Sequence, residues 1–440
     1  AKATQEGKWN LVKRLSYLLT HSSSAKQLAV RTVTRNKGKQ TPSVDGVLWT
    51  SASDKMQAAL SLTDRQYRAQ PLRRIYIPKP GKTTKRPISI PTMHDRAMQA
   101  LYALALQPIA ETTADARSFG FRLFRSAPDA SAYAFNCLAR KTSAQWILEG
   151  DIAGCFDNIA HDWLMESIPM DRSILAQFLK AGYIFEESLF STDRGTPQGG
   201  LISPILANMT LDGIEGILAA KFPRMRVYFI RYADDFLVTT PTKEIAEEAR
   251  GIIQEFLAER GLELSMEKTV ITHIDDGFDF LGYNFRKYNG KLLIKPSRKA
   301  IESITDKIRK TAKKAQAWTQ DALIKILNPI IRGWANYHRH NVATETFSKL
   351  DDYIWTVTWR WGRRRHPDKG RRWIVSRYWQ PEGNRKWVFQ TKENKLQRFS
   401  ETKIRRHPCP RLNANPYLDR KYFLEKRGHF NKQHPKTRPE

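Results

Sequence analysis

Two adjacent acidic residues between apolar runs constrain the fold of this chain more than any other feature. Asp234 and Asp235 lie in the hexapeptide Arg231-Tyr232-Ala233-Asp234-Asp235-Phe236. Residues 227–230 and 236–238 on either side are rich in the β-branched and aromatic types that strands favour. The pattern predicts a hairpin of buried strands with both carboxylates at its tip. Neighbouring anions repel each other and resist desolvation, so they indicate a bound cation; the alternative is a solvated turn.

The charge balance indicates an anionic partner. The 440 residues include 74 Lys and Arg against 44 Asp and Glu, a formal net charge of +30. This excess favours nucleic acid, and an anionic membrane surface is the rival partner. No apolar run approaches the ~20 residues that cross a bilayer, and no signal peptide is visible. The three cysteines are widely spaced and form neither a disulfide framework nor a zinc pattern, so we expect a reduced, cytoplasmic protein.

Hydrophobic periodicity organises the rest of the chain. Residues 72–91 read as a hairpin around Pro80-Gly81, and residues 278–294 as a hairpin turning at Asn289-Gly290. Asp95 is expected to cap a helix. Residues 36–46 are expected to form a loop, and residues 147–152 a short buried strand. Further helices are predicted over residues 161–190, 204–221, 243–260 and 297–350.

A third carboxylate gives the acidic pair a chemical meaning. Asp151 ends the predicted strand 147–152. If that strand neighbours the hairpin, three carboxylates converge, and such hard oxygen ligands suit Mg²⁺. Two ions about 3.5–4 Å apart stabilise the attacking and leaving oxygens of a phosphoryl displacement. The sequence therefore predicts nucleotidyl transfer onto a primer 3′-hydroxyl, with no His, Cys or Ser nucleophile.

The residues resemble those of the reverse transcriptases encoded by bacterial group II introns. Tyr232-Ala233-Asp234-Asp235 with Asp151 is similar to that family's active site, and further blocks match in the same order. These blocks are Thr41 to Gly46, Arg74 to Lys79, Arg86 to Pro91, Asp95-Arg96, Ser118 to Arg122, Gly195 to Gly200, Phe280 to Gly282 and Arg332 to Tyr337. The resemblance covers about residues 5 to 345.

This resemblance implies an α+β right-hand polymerase. The expected parts are an N-terminal extension and loop (1–45), fingers (46–125), a palm with an antiparallel sheet and parts of the fingers (126–295), an all-helical thumb or domain X (296–352), and a basic DNA-binding-like region (353–440). The last region holds 24 Lys and Arg against 7 Asp and Glu, and six of the twelve tryptophans. The family often continues into a His-Asn-His nuclease with paired CxxC motifs. Since Cys409 is the one late cysteine, we expect that module to be absent.

The resemblance also implies metal and nucleotide ligands. Asp151, Asp234 and Asp235, with the carbonyl of Ile152, would hold two Mg²⁺ ions, for which Mn²⁺ can substitute. Three cations of the fingers would contact the triphosphate of the incoming dNTP: Arg73, Lys79 and Arg86. The alternative is an ordinary basic hairpin face, and Lys85 competes with Arg86 for the role.

Further residues would contact the sugar, the template and the primer. Phe156 would leave no room for a 2′-hydroxyl, and the alternative is a plain core aromatic. Gln198 would meet the template base pair, and glycines beside it would let backbone approach nucleic acid. Asp157 is read as a helix cap in preference to a further metal ligand, and Cys137 and Cys155 as packing residues. The residues expected at primer or template are Tyr232, Ala233, Pro197, Gly199, Arg122, Arg332 and Trp334.

Three functions fit these features. The first is an RNA-directed DNA polymerase, also active on DNA templates, that serves as the RNA-binding maturase of a group II intron in a bacterial cytoplasm. Its partners would be an RNA template, a DNA primer, the RNA/DNA duplex, intron RNA and dNTPs. The second is a free-standing relative that acts in DNA repair or end joining. The third is a non-catalytic splicing factor, which the intact Asp151, Asp234 and Asp235 argue against.

Overall fold

The computed structural model describes residues 1–78 and 84–427. They form two compact units. The first unit contains residues 1–130, 146–271 and 410–427, and the second contains residues 131–145 and 272–409. None of the helices in the described ranges combines the length and the apolar character that crossing a membrane requires.

Strands occur in both units. They are β1 (Leu72–Pro78), β2 (Lys85–Ile90), β3 (Trp146–Asp151), β4 (Tyr183–Phe185), β5 (Ser188–Phe190), β6 (Tyr228–Tyr232), β7 (Asp235–Thr240), β8 (Val270–His273), β9 (Phe278–Phe280), β10 (Tyr283–Tyr288), β11 (Lys291–Pro296), β12 (Trp379–Glu382) and β13 (Arg385–Phe389). The strand orders are β2-β1-β4-β5, β6-β7-β3-β8, β11-β10-β9 and β12-β13.

Helices surround these sheets. They are α1 (Lys2–Gln5), α2 (Trp9–His21), α3 (Ser23–Arg35), α4 (Ala52–Ser61), α5 (Met93–Thr113), α6 (Ala127–Leu138), α7 (Cys155–Asn158), α8 (His161–Ser167), α9 (Arg172–Leu179), α10 (Ser203–Leu211), α11 (Ile214–Lys221), α12 (Lys243–Ala258), α13 (Arg298–Lys314), α14 (Gln320–His338), α15 (Thr344–Arg365), α16 (Arg371–Tyr378) and α17 (Arg420–Tyr422). Short 3₁₀ helices cover Lys37–Gln40 and Phe399–Glu401, and a π-helical turn covers Phe423–Arg427.

The sheet β6-β7-β3-β8 carries the acidic hairpin. β7 pairs antiparallel with both β6 and β3, so the predicted hairpin and its neighbouring strand are confirmed. Gly150 of β3 lies opposite Phe236 of β7. A Cβ on Gly150 would lie 2.1 Å from the Phe236 ring, so only glycine lets that ring lie across β3.

The two other predicted hairpins are also present in the described residues. β1 pairs with β2, although the Pro80-Gly81 turn lies outside the described range. β10 pairs with β11 around Asn289 and Gly290, both with positive φ (50° and 78°), as a two-residue hairpin turn requires.

Several boundaries differ from the prediction. The helix expected to reach residue 190 ends at Leu179, and the hairpin β4–β5 follows. The turn of that hairpin consists of Glu186 and Glu187, which have φ of 47° and 65°. Glutamate gives no turn signal, so this hairpin is invisible to pattern reasoning.

Three further local predictions were inexact: the continuity of one helix, the N-cap of another, and the conformation of one loop. The helix expected over 204–221 breaks at Gly213 (φ 110°) into α10 and α11. The N-cap of α5 is Thr92, which accepts the backbone N–H of Asp95, whereas Asp95 was expected to cap the helix. The loop expected over 36–46 contains the 3₁₀ helix Lys37–Gln40.

The second unit has a helical core, as predicted for residues 297–350. α13, α14 and α15 pack through Ile308, Leu327 and Leu350, which are at most 2% exposed. α16 and the β12–β13 hairpin extend this core through Tyr378 and Phe389. A run of tryptophans in α15 therefore meets the hairpin.

Candidate active site

The acidic turn has an unusual backbone. Tyr232 and Asp235 face each other at the end of the β6–β7 ladder, so Ala233 and Asp234 form the turn. Ala233 has a φ of 58°, a left-handed conformation that costs a non-glycine residue energy. Surrounding groups must hold it in place.

A buried arginine supports the turn from below. The Arg231 side chain is 0% exposed, and its Nη2 lies 2.6 Å from Asp212 Oδ1. Its Nη1 donates to Asn208 Oδ1 at 3.0 Å and to the Ala233 carbonyl at 3.3 Å. Because a buried arginine needs a partner, the break between α10 and α11 serves the site by presenting Asp212.

Gly120 closes the support on the other side of the turn. Its carbonyl accepts a hydrogen bond from Asn208 Nδ2 at 2.9 Å. A Cβ at this position would lie 2.2 Å from the Ala233 backbone nitrogen. The turn thus rests against bare backbone.

The sheet register brings the three predicted carboxylates together. Asp151 is directly opposite Asp235 in the β3–β7 pair, and Asp234 is its neighbour in the turn. The carboxyl groups of Asp151 and Asp235 are within hydrogen-bonding reach of each other, and Asp234 adds its charge. Their catalytic role stays a prediction, but the spatial convergence on which it depends is present.

The pKa values of two of these carboxylates are raised. Desolvation and the charges of Asp234 and Asp151 raise the pKa of Asp235 to about 7. Desolvation, with the charge of Asp151, also raises the pKa of Asp234, against the opposing charges of Arg86 and Lys268. Such crowding of anions is what a cation relieves.

Lys268 is a member of this cluster that the sequence did not reveal. Its Nζ donates to Asp151 Oδ2, and this bond raises the pKa of Lys268. The lysine follows α12 in an irregular segment, where neither periodicity nor a motif singled it out. Its ammonium supplies positive charge at the carboxylate where a metal ion would.

The donor set fits a divalent cation. Three carboxylates gathered at the end of two strands, two of them with raised pKa values, suit a hard cation. As the side chains stand within 1–78 and 84–427, no group of three or more His, Cys, Asp or Glu is arranged to hold a metal ion. Ile152 is buried and bridges Leu264, and the flanking bonds use the Asp151 carbonyl and the Ala153 amide rather than the Ile152 carbonyl.

The finger cations lie on the β1–β2 hairpin. The charge of Arg86 partly opposes the desolvation that raises the pKa of Asp234, as expected for a cation close to the acidic turn. The Nε of Arg73 is buried and has no hydrogen-bond partner among the described residues. Lys79 lies outside the described residues, and Lys85 is exposed at the start of β2.

Gln198 is held by two elements. Its Nε2 donates to Asp157 Oδ2 at 2.8 Å, and its carbonyl accepts the Ser89 amide at 2.7 Å. Gly199 (φ 119°) would place a Cβ 2.5 Å from the Ser89 carbonyl. Packing against β2 is therefore sufficient to explain why residue 199 is a glycine. The close approach of its backbone to nucleic acid stays a prediction. The N-cap of α7 is Gly154, so Asp157 orients Gln198 rather than capping.

Phe156 borders an open cleft of about 600 Å³. The ring is half-buried and meets Phe121 edge-on at 6.1 Å. Pro197 and Arg74 also line the cleft. The Arg74 guanidinium, 3.5 Å from the ring centroid of Tyr183, was not among the predicted site residues.

Arg122 requires a correction. Its side chain is 5% exposed and pairs with Glu111 at 2.9 Å. The guanidinium also donates to the carbonyls of Asp115 and Ser118. All of this charge is used inside the protein, so Arg122 shapes the loop before Gly120 and is not available to a primer or template.

The two predicted thumb residues differ in exposure. Arg332 is exposed on α14. Trp334 is half-buried and packs on His338 at 4.1 Å and edge-on to Phe399 at 5.6 Å. Trp334 thus contributes to the core of the second unit. Buried Cys155, whose pKa burial raises to about 12, is a packing residue as predicted.

Three parts of the chain match models of known protein families. Residues 77–285 match the model for reverse transcriptase (RNA-dependent DNA polymerase). Residues 301–379 match the group II intron maturase-specific domain, and residues 1–62 match the N-terminal domain of reverse transcriptase.

Individual proteins resemble the chain over much of its length. Protein YkfC of Escherichia coli (strain K12) is 33% identical over 320 residues, which cover 62% of this chain and 82% of YkfC. Group II intron-encoded protein LtrA of Lactococcus lactis subsp. cremoris is 29% identical over 410 residues, which cover 71% of this chain and 68% of LtrA. A solved structure of telomerase from Candida albicans aligns with this chain at 13% sequence identity and a TM-score of 0.40. The alignment covers 68% of this chain and 60% of the telomerase chain.

Proposed function

Because the chain belongs to the reverse transcriptases of the group II intron type, an α+β family with RNA-directed DNA polymerase and maturase function, we propose which of its residues perform that chemistry. The observation that carries the proposal is the register that sets Asp151 opposite Asp235, beside Asp234. The right-hand division into fingers (46–125), palm (126–295) and thumb (296–352) is part of the same proposal.

The three carboxylates form the catalytic centre. Reverse transcriptases use divalent metal ions, and we assign Mg²⁺ to Asp151, Asp234, Asp235 and the Ile152 carbonyl. Such ions, when bound, activate a primer 3′-hydroxyl and balance charge on the leaving pyrophosphate. Lys268 neutralises part of the carboxylate charge, as its hydrogen bond to Asp151 supports.

The nucleotide is bound by the fingers and by the loop that carries Gln198. Arg73 and Arg86 contact the triphosphate, and the unpartnered Nε of Arg73 supports this role. Lys79 is proposed for the same role from its position in the sequence. Phe156 excludes the 2′-hydroxyl, and Gln198, oriented by Asp157, meets the template base pair.

Arg231 acts by positioning the turn. Its hydrogen bonds to the Ala233 carbonyl and to Asn208 support a role in keeping Ala233 in the left-handed conformation. Tyr232 and Ala233, with Pro197 and Gly199, are proposed at the primer and template. In the second unit, exposed Arg332 remains a proposed contact to the duplex, whereas Trp334 is proposed to act through packing.

Primer extension on RNA and DNA templates tests the assignment. Wild type should extend both with dNTPs, and Asp234→Asn should abolish extension. Glu247→Gln is the control, since it neutralises a carboxylate of the first unit that lies on the exposed face of α12, away from the acidic turn. Equal extension by wild type and Asp234→Asn would refute the assignment.

RNA splicing separates maturase work from polymerisation. Maturase function uses the surface that binds folded RNA and needs no carboxylate, so Asp234→Asn should still promote splicing of a cognate intron RNA. Whether a group II intron surrounds the coding sequence decides between an intron-borne role and a free-standing role in DNA repair. Loss of both activities in Asp234→Asn would contradict this separation.

A further inference from the structure

Three near-parallel tryptophans form a row in the second unit. Trp355 and Trp359 are one turn apart on α15, with ring centroids 5.8 Å apart and planes 3° apart. Trp387 of β13 continues the row, 6.3 Å from Trp355 with planes 27° apart. Trp379 lies beneath, tilted against both helix tryptophans. Offset stacking of this kind is favourable and holds each ring in a fixed orientation.

The outer end of the row is open to solvent. Trp387 is 60% exposed and Trp355 is 38% exposed, whereas Trp379 is 3% exposed. A cleft of about 210 Å³ lies beside them, and its aromatic wall consists of Trp355, Trp379, Trp387 and Phe389, which we call the tryptophan notch. When a flat apolar partner covers an exposed indole beside an aromatic cleft, apolar surface is removed from water, and the free energy of binding becomes more favourable.

The charges at the rim are mostly satisfied within the protein. Arg385 pairs with Glu401 at 2.9 Å, and Arg398 pairs with Asp351 at 3.1 Å. Asp352 is exposed at the mouth, where its carboxylate can accept hydrogen bonds from amino groups. The notch therefore offers an aromatic face with an acceptor at its edge.

The second unit, which carries the notch, is basic. Residues 353–409 of this unit carry 16 Lys and Arg against 4 Asp and Glu. An aromatic stacking face inside a positive field is the combination that binds unpaired nucleic acid.

We propose that the tryptophan notch binds one unpaired nucleobase of a single-stranded nucleic acid, stacked on Trp387, with the adjoining phosphates attracted by the net positive charge of the second unit. The proposal rests on the proposed function, because it assumes a nucleic-acid substrate, and adds a base-binding site on the second unit. A paired base is already stacked on its neighbours, so the notch selects single strands over duplexes. RNA and DNA share the stacking chemistry.

Binding of a short oligonucleotide that carries one 2-aminopurine tests the proposal. Its RNA and DNA forms and a fully paired RNA duplex are titrated into the full chain. Trp387→Ala should weaken binding of the single strands by about 5- to 150-fold, the value of one base stacked on an aromatic ring. It should also remove the quenching of 2-aminopurine and leave duplex binding unchanged. Trp387→Phe should restore most of the binding.

Trp373→Ala is the matched control. Trp373 is 39% exposed on α16 in the same unit and lies outside the notch. The Trp373→Ala variant should therefore bind the single strands as tightly as wild type does. Loss in both tryptophan variants, or equal loss of single strands and duplex in Trp387→Ala, would overturn the notch. The proposal would also be overturned if wild type bound a proline-rich peptide that Trp387→Ala does not bind, while the oligonucleotide showed no quenching of 2-aminopurine. Unequal effects on RNA and DNA identify which strand the notch serves.

Primer extension keeps this test separate from that of the proposed function. If wild type extends primers but Trp387→Ala binds single strands normally, the notch alone fails. If wild type extends no primer, the proposed function fails whatever the notch binds. Thermal melting of Trp387→Ala checks folding, and the high exposure of this side chain predicts a midpoint near that of wild type.

Discussion

Asp235→Asn should stabilise the metal-free protein while it abolishes DNA synthesis. The carboxylate of Asp235 faces Asp151 and adjoins Asp234, and its pKa is raised from 3.8 to about 7. An amide removes one of the mutually repelling charges and can donate a hydrogen bond to Asp151. The residue proposed to bind the catalytic metal ions is therefore expected to weaken the fold of the metal-free protein.

The magnitude follows from the shift. A rise of roughly three pKa units, each worth about 1.4 kcal/mol, sets a ceiling of about 4 kcal/mol. Since Asp235 is exposed at the tip of the hairpin, solvent screening reduces the expected gain to about 1–2 kcal/mol. For a unit of this size that corresponds to a rise of about 2–6 °C in melting temperature.

The pH dependence distinguishes this cause from a general effect of charge. The unfolded carboxyl ionises near pH 4 and the folded one near pH 7, so the penalty of Asp235 grows between these values and is complete above pH 7. The gain from Asp235→Asn should therefore be larger at pH 8 than at pH 5. Magnesium should raise the melting temperature of wild type at pH 8, and less so that of the variant.

Thermal melting in EDTA at the two pH values is the measurement. Glu247→Gln, which neutralises an isolated exposed carboxylate on α12, should show no comparable gain. If Asp235→Asn melts at or below the wild-type temperature at pH 8, the account of carboxylate repulsion is wrong. A gain of the same size at pH 5 would equally refute it.

Four further outcomes are expected. Gly120→Ala should slow primer extension more than it lowers the melting temperature, because the new methyl displaces the Ala233 backbone; Gly251→Ala, with open space around it, is the control, and equal rates in the two would contradict the reasoning. Asp212→Ala should destabilise the fold by about 3–5 kcal/mol in chemical unfolding, since it leaves the Arg231 guanidinium buried without its anion; a loss under about 1 kcal/mol would mean that the pair carries little net energy. Phe156→Ala should admit rNTPs in steady-state competition with dNTPs, and unchanged discrimination would return Phe156 to a packing role. Template affinity measured by fluorescence anisotropy should fall steeply with salt because the net charge is +30, and a flat response would exclude binding through phosphates.

The elements that position the carboxylates could be predicted because their patterns are local. Short apolar runs with β-branched and aromatic residues mark β3, β6 and β7, and antiparallel pairing of these strands makes Asp151 and Asp235 partners. The turn at Asn289-Gly290 was predictable for the same reason, since its residues tolerate positive φ.

The groups that support the site were missed because their partners are distant in sequence. Arg231 stands out as a charge within an apolar strand, but nothing in the sequence links it to Asp212. Lys268 carries no pattern at all. Arg122 belongs to a block that resembles a functional motif, yet its burial depends on Glu111 one helix away.

The main-chain hydrogen bond from the Ser89 amide to the Gln198 carbonyl joins β2 to the loop that carries Gln198. Because both groups belong to the backbone, only a proline at position 89 would remove the bond by substitution. Gly199 also packs closely against the Ser89 carbonyl, so a tilt of β2 would displace the loop that contains Gln198 and Gly199. Asp157 must follow through its bond to Gln198. If Arg86 binds the triphosphate and Gln198 meets the template base pair, as proposed, movement of Arg86 on nucleotide binding would also move Gln198, so that nucleotide binding and base-pair recognition would be mechanically coupled.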